Sequence, residues 1–286
     1  DWWSGLIGEK RKFNPRDYFV ICVNVLGSHY GSTNALSINP LNSEPYYHDF
    51  PFVTLRDVVN TFIILRKHLE IDQIQYLLGG SLGGQQALEW GIIEPAIIKK
   101  MILFSSNAIH SPWGIAFNES QRMAISNDPT WEQRHPNAGM EGMKVARAIA
   151  LISYRNYDTY NRTQSRDEGQ IDFFRANTYQ NYQGEKIKRR FNAFSYWVLS
   201  KMFDSHDVGR NRGGVKEALS KAKAETLVIG ISSDILFPPV EQARIAEGIK
   251  NAKFIEIDSN YGHDGFLIEF EAMSKAILEW EQTLKK

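Results

Sequence analysis

One stretch constrains what this chain can fold into more than any other: Gln75-Tyr76-Leu77-Leu78-Gly79-Gly80-Ser81-Leu82-Gly83-Gly84. An apolar run suited to a buried strand stops at glycines that flank a single serine. A helical pattern then begins, with Ala87, Leu88 and Trp90 among polar neighbours. Gly79-Gly80-Ser81-Leu82-Gly83 fits G-x-S-x-G, the nucleophile elbow, in which a strained strand-to-helix turn holds a serine hydroxyl clear of a sheet. Glycine supplies the unusual backbone angles of such a turn and keeps bulk away from the serine. The helix N-terminus behind it points free N–H groups at any developing negative charge. The same residues would also make a plain strand-to-helix connection whose serine only caps the helix. Partners for Ser81 decide between the two.

The surrounding pattern supplies a sheet. Residues 18–25 form a continuous apolar run with β-branched members, which predicts a strand buried on both faces. Residues 26–40 are polar and Gly-containing, as expected of a long loop beyond a strand end. Thr54 opens a helix with Asp57 at capping-box spacing and Leu55, Val58, Val59, Phe62, Leu65 and Leu69 on its apolar face. The strand to Ser81 and the elbow helix follow, then a strand at Lys100-Met101-Ile102-Leu103-Phe104. This alternation predicts an α/β fold with a mostly parallel sheet and helices on both faces.

From 107 to 222 the alternation gives way to helices joined by polar loops, read as a helical lid insertion over the sheet edge that carries the serine. It divides a core of residues 1–106 and 223–286. The second core segment holds a strand at Thr226-Leu227-Val228-Ile229-Gly230-Ile231, a helix through Ala243 and Ile245, a strand at Phe254-Ile255-Glu256-Ile257, and a closing amphipathic helix with Phe270, Met273, Ile277 and Trp280.

Two residues qualify as partners. Asp234 follows the strand ending at Ile231, and His263 follows the next strand, so both sit where parallel strands end. Separately, an aspartate there is a common turn former and a histidine a common loop residue. Together, the order Ser81, Asp234, His263 is that of the α/β-hydrolase fold. The chemistry uses all three: imidazole takes the serine proton, and the carboxylate holds the imidazole tautomer and stabilises the imidazolium. The helix-start N–H of Leu82 is the expected oxyanion donor.

Bulk properties exclude several other functions. Lysine plus arginine equals aspartate plus glutamate, 33 against 33, so charge favours neither nucleic acid nor a membrane surface as partner. No apolar stretch reaches membrane-spanning length and the N-terminus is no signal peptide. The single cysteine, Cys22, has no disulfide partner and lies in an apolar run, which predicts a small buried core residue and a cytoplasmic setting. No metal-ligand spacing competes with the triad, so no metal is expected.

Along nearly its whole length the chain resembles the homoserine O-acetyltransferases, an α/β-hydrolase branch of methionine biosynthesis. The motifs are Asn24-Val25-Leu26-Gly27 with Tyr30-Gly31-Ser32-Thr33, Ser37-Ile38-Asn39-Pro40, the elbow with Gln86-Ala87-Leu88-Glu89-Trp90, Ala116-Phe117-Asn118-Glu119, Tyr182-Gln183-Gly184 with Arg190-Phe191, Ile229-Gly230-Ile231-Ser232-Ser233-Asp234, and Gly262-His263-Asp264. The resemblance implies ping-pong transfer of acetyl from acetyl-CoA, as co-substrate with no bound cofactor, through Ser81 to L-homoserine. It implies Arg147 and Tyr154 in the homoserine site, with the arginine on the α-carboxylate and Asp264 on the α-amino group. It also implies a homodimer, and a segment ahead of Trp2-Trp3 that supplies the first strands and a second oxyanion donor. Relative to the family, Asn34-Ala35 replaces Gly-Pro, His29 a frequent cysteine and Leu151 a frequent histidine, which bears on acyl and acceptor selectivity. Succinyl transfer to homoserine or serine, ester hydrolysis, and a truncated non-catalytic relative are the alternatives.

Overall fold

The computed structural model describes residues 2–284. A short antiparallel pair, β1 (Ile38–Asn39) with β2 (Glu44–Pro45), precedes α1 (Leu55–His68), β3 (Ile74–Gly80), α2 (Leu82–Ile93) and β4 (Ile98–Phe104). Six helices follow: α3 (Pro112–Ser126), α4 (Met140–Tyr154), α5 (Tyr157–Thr163), α6 (Arg175–Lys188), α7 (Ala193–Asp204) and α8 (Val215–Leu219). Then come β5 (Glu225–Ile231), α9 (Pro239–Gly248), β6 (Ala252–Ile257) and α10 (Phe270–Thr283). Two compact units result. One holds the residues up to Val23, Phe62–Ile109 and those from Asp207 onward; the other holds Asn24–Thr61 and His110–His206.

The first unit is built on a parallel sheet of order β3-β4-β5-β6. Register aligns Gly80 with Phe104 and Phe104 with Ile229, so the ends of β3, β4 and β5 lie side by side. Period-two alternation sends Ile102 and Phe104 with Leu227, Ile229 and Ile231 to one face, where Met273, Ala276, Ile277 and Trp280 of α10 pack on them. On the other side, α2 packs against β3 and β4, and α9 against β5 and β6. A buried ion pair fixes α2 further: Arg212 grips Glu89 bidentately at 2.7 and 2.8 Å.

The second unit has its own core, in which Ile125, Ala138, Met143, Ala146, Ile187 and Phe194 pack around Trp131. Trp131 stacks on Phe194 with centroids 5.0 Å apart. Gly142 lets α4 approach α3, since a Cβ there would lie 2.5 Å from the Ala124 carbonyl oxygen. The capping box is present as reciprocal bonds, Thr54 N–H to Asp57 Oδ2 at 2.9 Å and Asp57 N–H to Thr54 Oγ1 at 3.3 Å. Leu55, Val58, Val59 and Phe62 of α1 are buried, whereas Leu69 lies beyond the helix end and is exposed.

The expected strand over 18–25 does not form. Residues 19–25 are irregular, Phe19 is 81% exposed, and Cys22 is exposed rather than buried. Among the described residues this run has no ladder partner, and an apolar run is a strand only where a neighbour takes its backbone groups. Ahead of it, Leu6 and Phe13 are buried in the core beneath α10. Among the described residues, no helix is long and apolar enough to cross a membrane.

Candidate active site

The site begins with a strained residue. Ser81 has φ 55 and ψ −123, a conformation costly for a residue with a Cβ. Its surroundings enforce it. The Ser81 N–H donates to the Phe104 carbonyl at 2.9 Å, continuing the β3–β4 ladder through the turn. The Ser81 carbonyl then accepts from the N–H groups of Gly84 at 2.9 Å and Gln85 at 3.2 Å, which starts α2. The flanking glycines are required for space. A Cβ on Gly79 would fall 2.0 Å from the Gly83 carbonyl oxygen, and one on Gly80 2.4 Å from the Phe266 ring.

Asp234 and His263 reach Ser81 from the ends of β5 and β6. The Asp234 N–H caps β5 by donating to Ile231 O at 3.0 Å. His263 lies in a 3₁₀ turn, Gly262–Leu267, after β6. His263 Nδ1 is 2.7 Å from Asp234 Oδ2, and Nε2 is 2.9 Å from Ser81 Oγ. The second carboxylate oxygen, Oδ1, accepts the N–H groups of Leu236 and Phe237, each at 2.9 Å. Both Asp234 and His263 are buried. A carboxylate held on all sides by donors accepts from Nδ1–H, which leaves the Nε2 lone pair for the Ser81 hydroxyl. Phe237 and Phe266 flank the imidazole, each with its centroid 5.2 Å away. Leu82, the first residue of α2, has one of the helix-start N–H groups that have no partner within the helix.

Several supporting residues were missed at the level of sequence. Ser233 Oγ donates to Ser259 O at 2.5 Å and accepts from Gly262 N–H at 2.9 Å. Ser232 Oγ donates to Asp258 Oδ1 and accepts from Ser259 N–H, both at 3.0 Å. This pair of serines clamps the Asp234 loop to the His263 loop. Their position directly before Asp234 was the available signal. Ser106 Oγ donates to the Ser81 carbonyl at 3.0 Å, and no motif marks it.

The remaining candidates lie as follows. Asp264 is partly buried beside His263. In the second unit, Arg147 and Tyr154 share a face of α4, with the guanidinium 5.5 Å from the phenol centroid. Their neighbour Tyr196 is held protonated: burial, reinforced by Tyr154, pushes its phenol well up, against the Arg147 charge. Among the described residues, no group of three or more histidine, cysteine or acidic side chains could hold a metal ion.

A strained serine, an imidazole on its hydroxyl and a buried carboxylate behind the imidazole make a unit able to form and break an acyl ester. Residues 1–270 match the family model for the alpha/beta hydrolase fold. The homoserine O-acetyltransferase of Cyclobacterium marinum is 50% identical over 273 residues, spanning 96% of this chain and 78% of that one. The crystal structure of homoserine O-acetyltransferase from Bacillus anthracis superposes with a TM-score of 0.92 at 25% identity, covering 98% of this chain and 80% of the other. The acetyl esterase MekB matches with a TM-score of 0.79 at 24% identity, covering 98% and 81% of the two chains, a likeness of fold alone. With half of its aligned residues identical to that of the Cyclobacterium enzyme, this chain belongs to the homoserine O-acetyltransferase family of the α/β-hydrolase fold.

Proposed function

We propose that this chain moves an acetyl group from acetyl-CoA to the side-chain hydroxyl of L-homoserine through an acetyl-serine on Ser81. The observation that carries the reading is the continuous chain of hydrogen bonds from Ser81 Oγ through His263 to Asp234 at the ends of β3, β5 and β6. Sequence identity of 50% to a homoserine O-acetyltransferase supports the choice of donor and acceptor.

The two half-reactions use the same groups. Ser81 Oγ attacks the thioester carbonyl carbon while His263 Nε2 takes the hydroxyl proton. The Leu82 N–H meets the oxyanion of the tetrahedral intermediate. The C–S bond breaks, and the imidazolium returns its proton to the departing CoA sulfur. The homoserine hydroxyl then attacks the acetyl-serine, His263 takes its proton, and the C–O bond to Ser81 breaks as that proton passes to Ser81 Oγ. Asp234 keeps Nδ1 protonated and offsets the positive charge in both halves.

Arg147 is assigned the homoserine α-carboxylate, and Asp264 the α-amino group. The family resemblance supports both, and the shared face of Arg147 and Tyr154 supports the first. A bidentate guanidinium suits a carboxylate better than an ammonium does. The proposal extends to a cytoplasmic homodimer with small-molecule substrates, on the same resemblance.

The test is acetyl-CoA turnover by the purified chain with and without L-homoserine, alongside Ser81→Ala. Homoserine-dependent CoA release that vanishes in Ser81→Ala is the expected result. Release at the same rate without homoserine would make the protein an esterase-like hydrolase, and transfer from succinyl-CoA alone would reassign the donor.

A further inference from the structure

We propose that Ser106 is a positioning residue that aims the oxyanion donor, the Leu82 N–H, by holding the peptide plane between Ser81 and Leu82. The inference rests on Ser81 being the nucleophile. The Ser81 carbonyl and the Leu82 N–H belong to one planar amide, so whatever orients the carbonyl orients the donor. Gly84 and Gln85 bond to that carbonyl from within α2. Ser106 Oγ–H, at 3.0 Å, is the donor that comes from outside the helix, at the end of the adjacent strand β4. It therefore ties the plane to the sheet rather than to the helix alone.

The placement of Ser106 is specified by its neighbours. Ser105, just beyond β4, is forced to φ 42, a left-handed conformation that a serine adopts only under constraint. This kink turns the chain at the point where Ser106 comes to face Ser81. Gln242 Nε2 on α9 donates to the Ser106 carbonyl, and Ser106 itself is fully buried. Next along the chain, Asn107 bridges Gln85 of α2 at 2.8 Å and Glu241 of α9 at 2.9 Å. A Cβ on Gly84 would lie 2.6 Å from Ser106 Cβ and 2.8 Å from Ser106 Oγ, so the glycine at 84 leaves the room in which Ser106 sits against the elbow.

A bond to the carbonyl oxygen acts on the N–H in two ways. It restricts rotation of the amide plane, and it polarises the amide so that its N–H becomes a stronger donor. Neither effect matters to substrate binding in the ground state. Both matter when negative charge develops on the thioester oxygen.

The experiment follows single-turnover acylation by acetyl-CoA in the absence of acceptor, read from loss of thioester absorbance, across a range of pH. Wild type, Ser81→Ala and Ser106→Ala are compared. Ser106→Ala should slow acylation by about tenfold to a hundredfold, short of the 10²–10³ that follows from losing an oxyanion donor outright. The half-saturating acetyl-CoA concentration should stay within about twofold, and the pH midpoint should match wild type, because His263 and binding are untouched. Ser106→Cys keeps a weak donor of similar size, replaces the alanine variant if that one does not fold, and should fall between it and wild type. An unchanged rate constant in Ser106→Ala would overturn the inference. So would a slowed rate accompanied by a displaced pH midpoint, which would place the effect on the triad. A wild type without a Ser81-dependent burst would instead overturn the acetyl-serine reading itself, and the two failures are thereby distinct.

Discussion

Acidification should weaken this protein through one buried histidine that takes no part in the triad. His110 is 3% exposed, stacks on Phe203 with centroids 4.3 Å apart, and lies 3.3 Å from the Asn118 amide nitrogen through Nε2. Burial pushes its pKa down to about 4, against the pull of the Asp204 carboxylate and the Gly114 backbone and with a further push from Arg122. An unfolded histidine titrates near 6.5. Between those values the unfolded chain binds a proton that the folded chain refuses, so stability rises with pH across the window and is lost as pH falls through it. The span from 6.5 to about 4 corresponds to about 3 kcal/mol, of which about 2.5 kcal/mol is expressed at about pH 4.5. That is a large share of the ~5–15 kcal/mol that holds a typical domain folded. The assay is urea unfolding of wild type and His110→Gln at about pH 7.5 and about pH 4.5. Glutamine does not titrate and retains an amide to face Asn118, so its own packing cost cancels between the two pH values. Wild type should lose about 2.5 kcal/mol more than the variant. Stabilities that fall in parallel would refute the assignment.

Other substitutions probe the site and its frame. Gly80→Ala places a Cβ 2.4 Å from the Phe266 ring, which itself flanks His263; displacement of the imidazole should lower kcat on the order of a hundredfold, and an unchanged kcat would show that Phe266 yields without moving it. Asp234→Asn preserves shape but reverses the preferred tautomer of His263, and turnover should drop by about 10⁴, the size seen for the same change in a serine-protease triad. Arg212→Ala strips a bidentate guanidinium from the buried Glu89 and should cost about 3–5 kcal/mol in urea unfolding; a loss under about 1 kcal/mol would mean the pair is solvated. Asp57→Ala removes the acceptor for the Thr54 N–H and should cost about 1 kcal/mol by the same assay.

Much of this protein was legible in its residues because the relevant interactions are local. The elbow has a short-range signature: glycines around Ser81, an apolar strand before and a helical pattern after mark its turn within about a dozen residues, although Phe104 and Ser106 help to hold it. The strands ending at Phe104, Ile231 and Ile257, and the capping box of Thr54 and Asp57, depend on periodicity within a few residues and were placed accordingly. The order of Ser81, Asp234 and His263 carries the expectation that three distant residues converge, and His263 lies within hydrogen-bond distance of both Ser81 and Asp234.

Other features required long-range partners. The run over 18–25 has strand composition, but pairing decides whether an apolar run becomes a strand, and without a ladder partner among the described residues it is irregular and leaves Cys22 exposed. Composition likewise says nothing of how residues 24–61 join 110–206 in one compact unit, since that depends on which side chains meet in the core around Trp131. Ser106, Ser232 and Ser233 are ordinary serines by any local criterion. They acquire their roles from carbonyls and N–H groups contributed by neighbouring strands, with Ser81 O facing Ser106 and Ser259 O facing Ser233. A residue's type and spacing prescribe what its own stretch of chain can become. The partner it finds across the sheet is set by strand order and register, which exist only once the chain has folded.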